Sequence, residues 1–264
     1  PVILLAWALN YITGWQCIGM LFAGFTGLAA DFEWMPPWHR LLLYVIACIL
    51  FLSGSSWFGY EGWLMPVLLA GLLVWINLFN FMDGINGMMA LNSLVSLITF
   101  FLLPELKAFY GFIGLVIVST AIYSFFNVRV KAMAFAGDVG SVLLSFCIAC
   151  PILFAISNSG KWWYLMFFCL YVIDAGFTLT VRLFKGYNIL KPHRTHLYEY
   201  LVNEAGQPHL YIALIYAVIQ FLINLVLICC ANFHLMPIQF LTVLLFIACF
   251  GGYFFIRQRI VKQY

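Results

Sequence analysis

Charge is what this sequence has least of: twelve Lys and Arg and nine Asp and Glu make up 8% of 264 residues. Soluble domains carry roughly 25% charged residues. A chain this poor in charge and 66% hydrophobic cannot cover a water-facing surface, so it is read as a membrane protein. The net charge is only +3, and no basic groove interleaved with aromatics is present, which excludes nucleic acid as a partner. Low-complexity linkers and inverted repeats of the transporter kind are also lacking, so residues 1–264 are read as one domain. An initial Met is lacking too. The first apolar run after Pro1 is short, and a truncated N-terminal span is expected.

Cysteine is not scarce, but Cys17, Cys48, Cys147, Cys150, Cys169, Cys229, Cys230 and Cys249 all lie inside apolar runs. They are expected to be small apolar fillers. Cys147 and Cys150 form a CxxC, but a membrane helix lacks the charge that would lower a thiol pKa there.

What the chain has in abundance is apolar runs. A hydrocarbon crossing takes about 20 apolar residues, and spans are expected near 1–10 (incomplete), 15–30, 40–56, 62–79, 86–103, 109–126, 140–156, 162–183, 209–231 and 236–257. Runs of this length suit helices rather than the roughly ten-residue alternating strands of a barrel. The expected fold is therefore all-α, a polytopic transmembrane bundle of about ten spans. Trp38, Trp57, Trp63, Trp162 and Trp163 fall near span ends, where amphipathic rings settle.

The connections between spans form two sets. Arg40, Arg129, Lys131, Arg182, Lys185, Lys191, Arg194, Arg257, Arg259 and Lys262 belong with one set, and only Lys107 and Lys161 with the other. By the positive-inside rule the first set is cytoplasmic. Asp31, Glu33, Asp83, Asp138, Asp174, Glu199 and Glu204 are on that same side. A face mixing carboxylates with Arg, Lys and His suits a divalent metal and phosphates.

Four stretches on that face could carry chemistry. In Asn77–Met89 (NLFNFMDGINGMM), Asn77 and Asn80 share a helix face. Asp83 opens a Gly-rich turn there, whose glycines permit close approach of a ligand; an ordinary capped loop is the plain alternative. In AGDVGS (Ala136–Ser141), Asp138 is either a helix cap or a metal ligand beside Arg129 and Lys131. KPHRTHLYEYL (Lys191–Leu201) brings His193, Arg194 and His196 close enough to clamp phosphates, or leaves them as solvated loop charges. Asp174 lies inside an apolar run, where an ionisable residue is functional by default. Arg182, about two turns on, shares its face, so a mutually compensating pair is equally consistent with the sequence.

On these residues the chain resembles the polyprenyl-phosphate N-acetylhexosamine-1-phosphate transferases, of glycosyltransferase family 4 type, which also include the peptidoglycan lipid-intermediate translocase. NxxNxxDGINGM, FxGDxGS and PHRTHLYEYL occur in order on successive connections of the cytoplasmic set. The HRTHLYEYL form is similar to the branch that starts O-antigen and capsule lipid intermediates. The resemblance implies transfer of N-acetylhexosamine 1-phosphate from a UDP-sugar to undecaprenyl phosphate, releasing UMP, at a bacterial inner membrane. Asp138 and Asn80 would hold Mg²⁺ (or Mn²⁺), with Asp31 and Asp83 as further catalytic acids. Asp83 and Asn86 would also face the nucleotide, and Phe135 would stack on uracil. Asn77, Lys131, His193, Arg194 and His196 would contact substrate, with Asp174 and Arg182 in support. Expected partners are UDP-N-acetylhexosamine, undecaprenyl phosphate and the bilayer, with a homodimer left open.

The chain departs from the family at GLAADFEWMP. Asp31 matches the second of two adjacent aspartates, and Ala30 stands where the first is usual. Two other readings are therefore carried forward: an impaired homologue that binds UDP-sugar without turnover, and a membrane transporter. Residues 127–138 are also one longer than the family pattern, which bears on any nucleotide role for Asn127.

Overall fold

The structure is a computed structural model and describes residues 1–55, 64–187 and 194–263. His193, Lys191, Trp57 and Trp63 lie outside the described residues. Among the described residues every regular element is helical: α1 (Val2–Ala8), α2 (Gly14–Asp31), α3 (Pro37–Ser53), α4 (Leu64–Phe81), α5 (Met88–Phe100), α6 (Tyr110–Asn127), α7 (Gly137–Ser159), α8 (Cys169–Phe184), α9 (Leu197–Asn203), α10 (His209–Phe233) and α11 (Ile238–Gln263).

Six helical stretches are long and apolar enough to cross a membrane: Leu64–Phe81, Pro104–Asn127, Gly137–Ser159, Trp162–Phe184, His209–Phe233 and Ile238–Gln263. These six match six of the ten expected spans. The other four differ for local reasons. α1 has seven residues, and α2, with 18, carries polar and glycine positions throughout. α3 stops at 17. α5 has only 13 residues, starting after Gly87 in the left-handed region at φ +84 and ending in a turn at Phe101.

The chain divides into two compact units. The first comprises Pro1–Asp83, Pro104–Ile122 and Phe135–Lys161. Within it, α2 packs on both α3 and α7, and α4 packs on α7 and α3. α2 is started by a capping box: Thr13 Oγ1 accepts from Gln16 N at 3.3 Å and Gln16 Oε1 accepts from Thr13 N at 2.8 Å. Its glycines bring the helices together. A Cβ on Gly19 would lie 2.7 Å from Phe51 N on α3, the small-residue packing typical of lipid, where close backbone approach replaces a hydrophobic driving force. Trp75 Nε1 on α4 donates to Ser145 O on α7 at 2.9 Å. Lys161 and Glu105, both from the less basic set of connections, pair at 3.5 Å.

The second unit comprises Gly84–Leu103, Tyr123–Ala134 and Trp162–Tyr264. α10 packs on α5, and α11 on α8. The Trp162–Phe184 stretch is broken, running as a 3₁₀ turn to Phe168 before α8 starts. Such a break frees backbone groups that hydrocarbon cannot solvate. Gln220 answers it from α10, donating to Met166 O at 2.8 Å and accepting from Leu170 N at 3.2 Å. Ser96 Oγ on α5 donates to Phe167 O at 2.8 Å.

Candidate functional site

The acidic cluster of the first unit is built on the start of α7. Gly137 takes φ +62, and a Cβ there would meet Asp31 Oδ2 at 2.7 Å, so only glycine allows the turn and the approach together. Asp31, the last residue of α2, accepts from Asp138 N at 2.8 Å and Val139 N at 3.2 Å. It is an N-cap supplied from another helix, an anion against orphan N–H groups and the positive end of the dipole. Asp31 was expected among the catalytic acids; in the structure both its oxygens hold the backbone that presents Asp138.

Relieved of capping its own helix, the Asp138 side chain points elsewhere. Oδ1 accepts from Asn80 Nδ2 at 2.6 Å and Oδ2 accepts from Arg40 Nη1 at 2.8 Å. Asn80, at the end of α4, also lies 3.4 Å from Ser141 Oγ. Asn77 does not join this cluster, since its amide donates to Leu73 O one turn back at 2.7 Å. Asp83 follows α4 in the turn. Burial first, and then the Asp138 and Asp31 carboxylates, push its pKa up to about 7. Ala30 is 8% exposed, so its methyl fills a buried position beside the capping acid. Phe135 is 73% exposed and its ring is free to stack.

Among the described residues no three His, Cys, Asp or Glu side chains converge as a metal site. The Asp138 carboxylate and the Asn80 amide, whose Nδ2 now donates to it and whose carbonyl oxygen would face an ion, supply oxygen donors of the kind that fit Mg²⁺. That ion is commonly held by one or two carboxylates, its remaining positions going to water and phosphate oxygens.

One position holds the geometry from outside the cluster. A Cβ on Gly27 would lie 2.8 Å from the Asp138 carbonyl carbon and oxygen. Both neighbours are backbone and cannot rotate away. Gly27→Ala is therefore expected to destabilise the protein by about 1–3 kcal/mol and to separate Asp31 from its cap. Thermal unfolding in detergent checks this, and an unchanged midpoint would contradict the packing described.

The second unit holds the remaining expected residues in two groups. In one, Asn86 Nδ2 donates to Arg129 O at 3.0 Å and its N donates to His209 Nδ1 at 3.3 Å. Asn127 accepts from Gly87 N at 2.8 Å and donates to Ala134 O at 2.9 Å. Both asparagines thus fix the loop that exposes Lys131. Asn86, expected at the nucleotide, has its amide nitrogen committed to this loop.

In the other group, Asp174 is fully buried and accepts from Leu197 N at 2.9 Å, Tyr216 Oη at 2.8 Å and Tyr253 Oη at 3.1 Å. His196 Nδ1 lies 3.5 Å from Asp174 Oδ1, and the ring is buried. Arg257 of α11 donates to Thr195 O at 2.8 Å and to Tyr253 Oη at 2.9 Å. Glu199 caps α9 by accepting from His196 N at 3.1 Å, and burial raises its pKa. Arg194, next to this anchored segment, is exposed. Arg182 stands over the Tyr187 ring at 5.8 Å.

Sequence reasoning counted Arg40 and Arg257 only as flanking charges, and singled out neither Tyr216 nor Tyr253. An arginine within a turn of a span end was the one available signal.

The family model for glycosyl transferase family 4 matches residues 15–159, a stretch that contains Asp31, Arg40, Asn80, Asp83 and Asp138. A phospho-N-acetylmuramoyl-pentapeptide-transferase of Streptococcus thermophilus (strain CNRZ 1066) is 27% identical over 190 residues, 63% of this chain and 55% of that protein. The enzyme of the same name from Streptococcus uberis (strain ATCC BAA-854 / 0140J) is 26% identical over 202 residues, 67% of this chain and 59% of its own length. The chain thus spans a little over half the length of these relatives.

Proposed function

Because the chain belongs to glycosyl transferase family 4, we propose that it transfers N-acetylhexosamine 1-phosphate from a UDP-sugar to undecaprenyl phosphate, releasing UMP. The observation that carries the reading is the pairing of Asn80 with Asp138 at 2.6 Å, with Arg40 on the other oxygen of the same carboxylate. The cluster belongs to the basic set of connections, so the proposal places the reaction at the cytoplasmic face of a bacterial inner membrane. The HRTHLYEYL stretch favours a plain N-acetylhexosamine donor, and a lipid product that begins a cell-surface polysaccharide.

Asp138 and Asn80 would hold Mg²⁺ or Mn²⁺, which when bound neutralises charge across the diphosphate. The chain's own residues do the rest. Asp31 keeps Asp138 in place. His193, Arg194 and Lys131 would donate to phosphate oxygens, and the exposed Phe135 ring would take the uracil face. An oxygen of the acceptor phosphate attacks the β-phosphorus, the bond from it to the α-phosphate oxygen breaks, and UMP leaves. A phosphate monoester is largely ionised near neutral pH. Alanine at position 30 withdraws a carboxylate that would take the acceptor's last proton, and slow turnover rather than none is expected.

The impaired-homologue reading keeps one supporting observation: Asp31 is tied to α7 and cannot stand in for the acid lacking at position 30. UMP release is measured in detergent with undecaprenyl phosphate, Mg²⁺ and, in turn, UDP-GlcNAc, UDP-GalNAc and UDP-MurNAc-pentapeptide. The proposal predicts lipid-dependent release by the parent with a hexosamine donor, rising about 10–100-fold in Ala30→Asp. Donor binding with no release from either protein would favour the impaired homologue.

A further inference from the structure

Arg40 stands on the first turn of α3 with its side chain 29% exposed, and its Nη1 is 2.8 Å from Asp138 Oδ2. With Asn80 on Oδ1, both oxygens of Asp138 are engaged. Asp31 is no substitute, since its carboxylate is turned to the backbone of α7. A divalent ion approaching Asp138 Oδ2 meets the Arg40 guanidinium already seated there, and the two cations repel.

The helix also offers Arg40 another partner. Tyr44, one turn on, shares the same face of α3. It is 8% exposed, is within electrostatic reach of Asp138, Arg40 and Asp31, and its hydroxyl has no hydrogen-bond partner among the described residues. Buried hydroxyls are ordinarily bonded. An unbonded one, a turn along the same helix face from a partly exposed guanidinium, offers that guanidinium an acceptor.

We propose that Arg40 is a place-holding cation, which balances Asp138 until a divalent ion takes the carboxylate and is then displaced toward the Tyr44 hydroxyl and a donor phosphate oxygen. Arg40 is thus a positioning residue with two stations. The proposal rests on the assignment of the metal to Asp138 and Asn80. Its sign is opposite to that of an arginine that merely builds the site: two cations compete for one carboxylate and repel each other, so removing Arg40 strengthens metal binding.

Mn²⁺ binding to the purified protein, without nucleotide or lipid, is followed by electron paramagnetic resonance. Arg40→Gln is expected to bind Mn²⁺ roughly tenfold more tightly than the parent. Equal or weaker binding, or none by either protein, overturns the proposal. A second measurement uses the parent itself, in case the variant misfolds. Phenylglyoxal labelling of Arg40, mapped by mass spectrometry, is expected to rise at least about threefold when Mn²⁺ is added, because the guanidinium leaves its carboxylate; unchanged or reduced labelling overturns the proposal. Neither readout depends on turnover. Both results as expected, with no UMP released, would retain Arg40's role and reject the reaction.

Discussion

Asp138→Ala is expected to reduce lipid-dependent UMP release by about 10²–10³-fold or more, while the protein still inserts and elutes as a folded species from detergent columns. The size of the loss follows from the number of roles on one side chain. Asp138 orients Asn80 and Arg40 through separate oxygens, and it is the carboxylate proposed to hold the metal. Alanine removes the ligand and leaves Arg40 without its counter-charge. Folding is spared because α7 does not need this side chain to begin: its cap is Asp31, bound to backbone N–H groups that the substitution retains. Release within tenfold of the parent would rule out the metal assignment.

Asp174→Ala is expected to have the larger effect on stability. One buried carboxylate accepts from two tyrosine hydroxyls and from the backbone of Leu197, and lies against His196. Removing one partner of such a buried network leaves the others desolvated and unpaired, at a cost of about 3–5 kcal/mol. Arg257 would keep its bond to Thr195 O but lose the anion that its tyrosine partner reaches. The start of α9 should loosen, measured as faster amide exchange over residues 195–200 and a lower unfolding midpoint. Asp174→Asn preserves shape and should lose less. Parent-like exchange in Asp174→Ala would mean that the network does not hold this segment.

The contrast between these residues shows what the sequence made legible. Long apolar runs marked six helices long and apolar enough to cross, in their expected places, because hydrocarbon thickness constrains length directly. It says nothing of shorter pieces. A φ of +84 at Gly87 sets the start of α5, and the 3₁₀ turn before α8 depends on Gln220 some fifty residues later. The meeting of Asn80 and Asp138 was foreseeable in kind, since both lie on connections of one set. The Arg40 pairing was not, for it joins residues 98 apart, and no local pattern marks the partner. The sequence left Asp138 open as a cap; the structure gives the cap to Asp31, whose capping of a different helix is a tertiary fact, and the ligand role of Asp138 is a proposal. Asp174 announced itself as an acid in an apolar run, but its partners are tyrosines that hydropathy counts as filler, and not the Arg182 suggested by helical spacing.

The most direct test of the proposed reaction follows the phosphorus. UDP-N-acetylhexosamine carrying ³²P in either the α- or the β-phosphate is incubated with the protein, undecaprenyl phosphate and Mg²⁺, and the organic and aqueous phases are counted. Phosphoryl transfer at the β-phosphorus predicts that β-label enters the organic phase while α-label stays in water as UMP. If the aqueous product is instead UDP, with both labels in water and the sugar alone on the lipid, or if no label ever leaves the donor, the proposed reaction is contradicted.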